Sequence, residues 1–168
     1  ATADNPSAIY YNPAGITQIE GLNVREGFYG IHLESKVDPD GPNNSTVSES
    51  EFQAAPQFFL TYKPQNQPVA LGLGIYAPFG FGLKYEDDTA FRTLAKEGRI
   101  AFIAINPVFA YQITKTLSIA AGPSVNTAHI KLSQGVTTLT DNYEFRGFGV
   151  GYGFTAGLLW APHRMHSF

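Results

Sequence analysis

The chain has 168 residues, of which 15% are charged and 14% aromatic, with 17 glycines, no cysteine and a formal net charge of −3. The lack of cysteine excludes disulfides and thiolate metal sites, and a negative chain without a basic cluster argues against nucleic acid as a partner. Charged residues fall well below the roughly 25% usual in soluble domains, and no apolar run reaches about 18 residues, so a membrane-crossing chain would use strands.

Residues 1–20 carry no strand alternation. Pro13 and Gly15 favour a turn, and Asn12 is disfavoured in a helix because it precedes proline. We expect this segment to lie outside the sheet. We also expect that a signal peptide once preceded Ala1 and has been removed, because the chain starts at Ala1 with neither a basic nor an apolar leader region.

Alternation and turn residues predict six strands, at about residues 22–36, 52–62, 68–77, 99–112, 116–132 and 143–161. In the third, residues 69–75 read Val-Ala-Leu-Gly-Leu-Gly-Ile. One face is therefore branched and aliphatic, while the other holds only alanine and glycine, and the last strand repeats this pattern. Such strands suit a barrel with a lipid-facing outside and a small-residue lumen. The expected fold class is all-β, an antiparallel transmembrane β-barrel of which about six strands are present.

The predicted connections alternate in length. Those near 37–51 and 78–98 are long, whereas those near 63–67 and 113–115 are short. Outer membrane barrels combine long external loops with short periplasmic turns, so the N-terminus is expected on the periplasmic side. In the first strand, we expect Tyr29, Ile31 and Leu33 to face lipid and Glu26 to face the lumen.

The long connection before residue 99 contains the candidate ligand-binding residues. Residues 87–98 predict a short amphipathic helix in an external loop, with Asp88 or Thr89 as its cap and Gly98 at its end. The preceding residues 77–83 are apolar for a loop, as a packed lid or a docking surface for a hydrophobic solute would be. The side chains expected to contact such a solute are Phe79, Phe81, Leu83, Phe91 and Leu94.

Catalytic and metal-binding patterns are weak. His163 and His166 lie close together in a tail, residues 163–168, that shows no strand alternation and no nearby carboxylate. Ser124 and His129 differ in parity along one strand and so point to opposite faces, which argues against a serine hydrolase. We expect no enzymatic activity, no cofactor and no metal.

Several sequence blocks resemble a known family. These are Asp4-Asn5-Pro6-Ser7-Ala8, Tyr11-Asn12-Pro13-Ala14-Gly15, and the segments at 71–80, 105–111 and 153–159. Together they are similar to the N-terminal portion of the FadL-like outer membrane transporters of long-chain fatty acids and other hydrophobic compounds (OMPP1/FadL/TodX). The resemblance implies a larger barrel plugged by an N-terminal hatch, with a solute that is captured by external loops and leaves sideways through the wall.

On this resemblance, residues 1–20 form the hatch, 21–162 an incomplete barrel wall and 163–168 a tail outside the family pattern. Asn12, Pro13, Ala14 and Gly15 would shape the hatch. The implied function is passive transport of long-chain fatty acids or other hydrophobic small molecules across a bacterial outer membrane, by a monomer when the full barrel is present, with membrane lipid around it. The alternative is a soluble, secreted β-sandwich or lipocalin-like module that binds a hydrophobic ligand.

Overall fold

The computed structural model describes residues 3–37, 46–49, 51–89, 91–137 and 141–161. Within these residues the chain opens with an α-helix, α1 (Ala8–Tyr11), and a 3-10 helix (Pro13–Gln18). Nine strands follow in this part of the chain: β1 (Gly21–Leu33), β2 (Lys36–Val37), β3 (Thr46–Val47), β4 (Glu51–Lys63), β5 (Val69–Tyr76), β6 (Gly80–Lys84), β7 (Glu97–Thr114), β8 (Leu117–Gly135) and β9 (Asn142–Trp160). No described helix is long and apolar enough to span a bilayer. The predicted tail at 163–168 lies outside the described residues.

The main sheet is antiparallel, in the order β1-β4-β5-β7-β8-β9, with β6 paired to β7 alone. β2 and β3 form a separate two-stranded ribbon. At 18 and 19 residues, β7 and β8 exceed the roughly 9–11 residues that cross a hydrocarbon core. In hydrocarbon, the unpaired outer edges of β1 and β9 would cost several kcal/mol for each bare backbone group, so spanning a membrane requires further strands.

The two faces of the sheet differ as the alternation predicts. On β9 the bulky residues point away from the N-terminal residues, and Tyr152 and Phe154 are 83% and 84% exposed. On the opposite face, Ala70 of β5 and Ala110 of β7 are fully buried. The expectation of one large apolar face and one small face is therefore confirmed.

The six predicted strands are confirmed to within a few residues, and the long and short connections alternate as expected. The turns at residues 64–68 and 115–116 lie at one end of the sheet, and strands β1, β6 and β8 lead into their longer connections at the other end. The sequence patterns missed β6, which was predicted as loop, and the short β2–β3 ribbon. β6 follows the end of β5 after three intervening residues and pairs with β7 in continuation of the β5–β7 ladder.

The helix predicted at residues 87–98 is wrong. The described part of this segment forms successive turns, with one helical bond from the Ala95 amide to the Phe91 carbonyl (3.2 Å). The backbone makes bonds to neighbouring strands instead: the Lys96 amide donates to Ser133 and the Gly135 amide to Arg92, at 2.8 and 2.7 Å. A helix nucleus is costly, and here the sheet satisfies the same backbone groups.

The facing predicted for β1 is also wrong. Tyr29 and Ile31 line a cavity together with residues of the N-terminal segment, whereas Glu26 and Phe28 lie on the outer face. Both faces of β1 carry aromatic or aliphatic residues, so its own alternation does not choose a face. The register with β4 decides it, because Arg25 pairs with Phe59, which is buried on the inner side.

The ladder between β7 and β8 is interrupted where each strand contains a proline. Pairing stops after Ile105 and resumes at Phe109, and Pro107 and Pro123, which have no N–H to donate, lie between. The fully buried Asn106 donates its side-chain amide to the Pro123 carbonyl at 2.8 Å. The interruption therefore follows from the two prolines, and a side chain satisfies the carbonyl within it.

Candidate functional site

The N-terminal segment, residues 3–20, packs across the inner face of the sheet. Asn12 links its two helical turns: its side-chain oxygen accepts from the Ala14 amide at 3.2 Å and caps the 3-10 helix that Pro13 begins. The Asn12 side-chain amide donates to the Leu158 carbonyl of β9 at 2.9 Å. One side chain thus both shapes the segment and attaches it to the sheet.

Small residues of the sheet make room for this segment. The side chains of Ile9 and Ile16 are fully buried and lie over Gly72 of β5, where an added Cβ would come within 2.8 Å of Ile9. At the other side, a Cβ on Gly157 of β9 would lie 2.5 Å from the Asn12 side-chain oxygen. The bare face of the strands is therefore a docking surface for the segment, and larger side chains would displace it.

A buried lysine holds the segment near the short-turn end of the sheet. Lys63, 6% exposed, donates from Nζ to the Thr17 carbonyl at 2.5 Å and to the Gln112 side chain at 3.3 Å. Thr17 lies in the last turn of the 3-10 helix, where a cation meets unsatisfied carbonyls. The Thr17 hydroxyl also bonds to Ser118 of β8 at 2.9 Å.

The wall of the sheet has an opening between β4 and β6, which we call the window. β4 and β5 pair up to Gln57 and Tyr76, and the Ala77 amide still donates to the Pro56 carbonyl at 3.1 Å. Beyond that bond, no ladder pair in the described sheet joins β4 to β6. Pro78 and Pro56 both lack an N–H, so neither can donate to a ladder here.

The outer end of the window is closed by one residue pair. The Glu49 amide donates to the Lys84 carbonyl at 2.7 Å, and the Lys84 ammonium binds the Glu49 carboxylate at 2.6 Å. Both side chains are about two-fifths exposed. The window is thus bounded by a main-chain bond at Ala77 on one side and by this pair on the other.

A cavity of about 580 Å³ lies inside the window, between the sheet and the N-terminal segment. Three rings pack along it: Tyr76 stacks on Phe59 at 5.6 Å and meets Tyr10 edge-on at 5.0 Å between ring centroids. Gln57 and Tyr76 line both this cavity and a second one on the outer face. The same few side chains therefore separate the inner cavity from the outer surface.

The five predicted ligand-contacting residues are not brought together at one place. Phe79 lines the cavity inside the window and packs on Phe102 at 4.4 Å. Leu94 lines a different cavity of about 390 Å³ between the outer ends of the strands, and Phe91 stacks edge-on with Tyr85. Phe81 and Leu83 lie on β6, which pairs with β7.

Charged residues hold the loops at the end of the sheet beyond Leu94. Arg92, 4% exposed, donates to the Thr137 carbonyl at 2.5 Å and to the Asp141 carbonyl at 2.8 Å. The Thr137 hydroxyl donates to the Asp141 carboxylate at 2.8 Å, and this bond, aided by Arg92, holds the pKa of Asp141 below its ordinary value. The pKa of Asp87 is lowered in the same way by a hydrogen bond from Lys96.

Within the described residues, no group of three or more histidine, aspartate or glutamate side chains could hold a metal ion.

The features that the sequence patterns did not reveal are the window and the inner cavity. Their sequence signal is the Ala77-Pro78 dipeptide, which interrupts an otherwise continuous apolar strand, together with Pro56 in the neighbouring strand.

The antiparallel sheet, apolar outside and lined by small residues within, defines a section of an outer membrane β-barrel wall. All 168 residues, 1–168, match the family described as outer membrane protein transport protein (OMPP1/FadL/TodX). The chain belongs to this family of outer membrane proteins. Its relatives are transport proteins rather than enzymes.

The fold is shared with two solved structures. A Pseudomonas aeruginosa FadL homologue is 17% identical, with a TM-score of 0.69 over 95% of this chain and 45% of that chain. The Ralstonia pickettii toluene transporter TbuX is 20% identical, with a TM-score of 0.70 over 95% of this chain and 50% of that chain. This chain therefore spans about half the length of each.

One curated relative is similar in sequence. The Neisseria meningitidis serogroup B (strain MC58) protein named "Putative outer membrane protein NMB0088" is 31% identical over 103 residues. The match covers 55% of this chain and 22% of that protein. The chain thus aligns with less than a quarter of its curated relative.

Proposed function

We propose that the chain provides wall and plug to a barrel through which long-chain fatty acids, or other hydrophobic small molecules, cross the bacterial outer membrane passively. The observation that carries this proposal is the apolar cavity between the N-terminal segment and an interrupted wall. A closed barrel without a lumenal cavity would need neither a broken strand nor small residues under a plug. The proposal rests on family membership for the class of solute.

In the proposed path, residues 1–20 act as the hatch, with Asn12, Pro13, Ala14 and Gly15 at its core. Ala14 is fully buried, and a Cβ on Gly15 would lie 2.4 Å from that of Ala3, so the segment is closely packed on itself. Close packing excludes water and small polar solutes from the lumen. An apolar solute can still pack against the aromatic rings beside the hatch.

Capture of the solute is proposed to take place at the outer end of the sheet. Leu94 is 78% exposed and borders a cavity together with Leu132 and Phe145. The side chains of Leu132 and Phe145 lie on the inner face of the sheet. Phe81 and Leu83 continue the same inner surface toward Phe79, which lines the cavity inside the window. The five residues would therefore act in succession rather than as one site.

Exit of the solute is proposed to occur through the window. A hydrophobic molecule gains nothing by entering the aqueous periplasm, whereas a sideways exit delivers it to the lipid core at roughly 0.8 kcal/mol for each buried CH₂. Gln57 and Tyr76 border the inner and the outer cavity, so a small movement of either would connect the two. No energy source is needed because the solute moves between apolar environments.

The soluble alternative is disfavoured by the outer face. A secreted β-sandwich would have to cover the bulky residues of β9, yet Tyr152, Phe154 and Leu158 point outward with at least half of their surface exposed. An apolar surface of this extent in water is an aggregation hazard, whereas lipid covers it without further structure.

Phe79→Ser with Phe81→Ser tests the capture role in the full-length transporter. We expect slower uptake of oleate with unchanged assembly, because each variant removes an apolar ring from the proposed path. Phe148→Ser is the matched control, since Phe148 is an exposed ring on the outer face of β9. Oleate uptake at the unmodified rate in the double variant would show that these two rings do not act in capture.

A further inference from the structure

The outer face of β7, β8 and β9 carries a band without formal charge. On β9 the outward residues run from Phe148 to Leu158, which are ten positions apart. Ten residues extend roughly 33 Å along a strand, or about 25 Å of depth at a tilt of about 40°, the height of the apolar band of a barrel in lipid. Over the same depth, the described residues 101–111 of β7 and 119–129 of β8 have no outward Asp, Glu, Lys or Arg. Residues just beyond this band meet lipid headgroups.

The first outward charge beyond the band is basic on each of these three strands. Arg99 of β7 is opposite Lys131 of β8, and Lys131 is opposite Arg146 of β9. Opposite residues point to the same face, so the three form one row across the sheet, which we call the basic row. Neighbouring strands lie about 4.8 Å apart, so the row spans roughly 10 Å. Arg99 is exposed, and the Arg146 side chain is 75% exposed.

Two carboxylates lie one step further out and hold the basic row in place. Glu97 and Glu144 are each two positions beyond the arginine of their own strand. The Glu97 carboxylate accepts from the Lys131 ammonium at 2.5 Å. The Glu144 carboxylate accepts from Arg146 at 2.5 Å and lies 3.6 Å from the Lys131 ammonium. The three cations thus exceed the two anions, and they lie nearer to the hydrocarbon.

We propose that the basic row binds the phosphate groups of a glycolipid in the outer leaflet of the outer membrane. Basic residues at a membrane surface recognise anionic headgroups, and the fork of a guanidinium suits phosphate oxygens. Phosphates carried on the sugar of a glycolipid lie at the boundary of its acyl chains, which is the depth of the basic row.

Aromatic rings lie at the end of the band where the acyl chains of such a lipid would begin. His129 and Phe148 pack on each other with 4.7 Å between ring centroids, one step below the basic row. The surface lies outside the wall, so it goes beyond transport through the lumen and does not depend on the solute. The order of cations above rings matches a lipid with a phosphorylated head and apolar chains.

The test uses the full-length protein in detergent with EDTA, and measures lipid binding by native mass spectrometry. The probes are lipid A and the same lipid after enzymatic removal of its phosphates. A basic side chain near an anionic lipid surface contributes about fivefold in affinity, so combining Arg99→Gln, Lys131→Gln and Arg146→Gln should weaken lipid A binding roughly a hundredfold. Binding of the dephosphorylated lipid should not change.

Two controls accompany this variant. Lys115→Gln removes an exposed cation from the turn at the other end of β7 and β8, and should leave lipid A binding unchanged. Arg99→Lys with Arg146→Lys keeps the charges and should retain most of the affinity. Assembly of each variant is checked by resistance to SDS before heating. The single variant Lys131→Gln, with an expected loss of about fivefold, replaces the triple variant if the latter does not assemble.

Three results would overturn the proposal. The first is equal binding of lipid A and its dephosphorylated form by the unmodified protein. The second is a triple variant that binds lipid A as the unmodified protein does, or that loses both lipids equally. The third is binding that requires magnesium in place of EDTA and is abolished by Glu97→Gln with Glu144→Gln, because a metal bridge to the carboxylates would then be the contact. Oleate uptake is measured separately, so none of these results bears on transport.

Discussion

Attachment of the N-terminal segment to β9 depends on the absence of a side chain at Gly157. A Cβ at this position would lie 2.5 Å from the Asn12 side-chain oxygen and 2.8 Å from a Pro13 ring carbon. Such distances do not occur between real atoms at van der Waals contact, so Gly157→Ala must push the segment away from the strand. The Asn12 bond to the Leu158 carbonyl, at 2.9 Å, would be lost or lengthened.

The expected cost follows from these two effects. Overpacking of a close contact costs about 1–3 kcal/mol, and a lost hydrogen bond about 0.5–1.5 kcal/mol. Because the segment can partly relax, we expect the free energy of detaching it to fall by about 2 kcal/mol, which lies in the lower part of the range given by the two costs together. Since 1.4 kcal/mol is a factor of ten, the population with the segment detached should rise about thirtyfold.

Hydrogen exchange read by mass spectrometry on peptides covering residues 8–18 measures this population in the full-length protein. Gly151→Ala is the matched control, because Gly151 lies on the same face of the same strand and a Cβ there meets nothing within 4 Å. We expect the segment to exchange faster in Gly157→Ala than in the unmodified protein, and its exchange rate to be unchanged in Gly151→Ala. Equal protection in both variants would refute the contact on which the reasoning depends.

Two further predictions concern the ends of the path. Lys63→Met should lower the free energy of detaching the last turn of the 3-10 helix by about 1–3 kcal/mol, because the Thr17 carbonyl loses its buried donor. Faster hydrogen exchange at residues 17–19 would confirm this, provided that the exposed control Lys115→Met does not show it. Because the pKa of Asp141 is lower in the folded than in the unfolded chain, its contribution is present above the ordinary value of 3.8 and is lost as the pH falls through the lowered pKa. Protection of the Lys96 and Gly135 amides, corrected for intrinsic exchange, should fall in that acidic range, and an identical pH profile in Asp141→Asn would exclude the carboxylate as the cause.

Sequence alone was enough to predict the strands of the wall and the facing of most of them. In residues 69–75 of β5 and 147–157 of β9 every second residue is small, so only one assignment of faces is compatible with lipid outside and a packed segment inside. The two prolines of β7 and β8 likewise remove backbone donors from the ladder between these strands. These features are local, because they depend on side-chain period and on a missing N–H.

Contacts between distant parts of the chain decided the rest. The facing of β1 follows from its register with β4. The described residues of 85–96 form turns because β8 takes up backbone bonds from Arg92 and Lys96. The window exists because the chain stops bonding to β4 after Ala77 and β6 pairs with β7 instead. The cavity exists because the N-terminal segment lies opposite the window on the inner side of the sheet. Periodicity determines which face of a strand is apolar; only the tertiary structure decides which strand, segment or cavity that face meets, since pairing and docking depend on residues far apart in the chain.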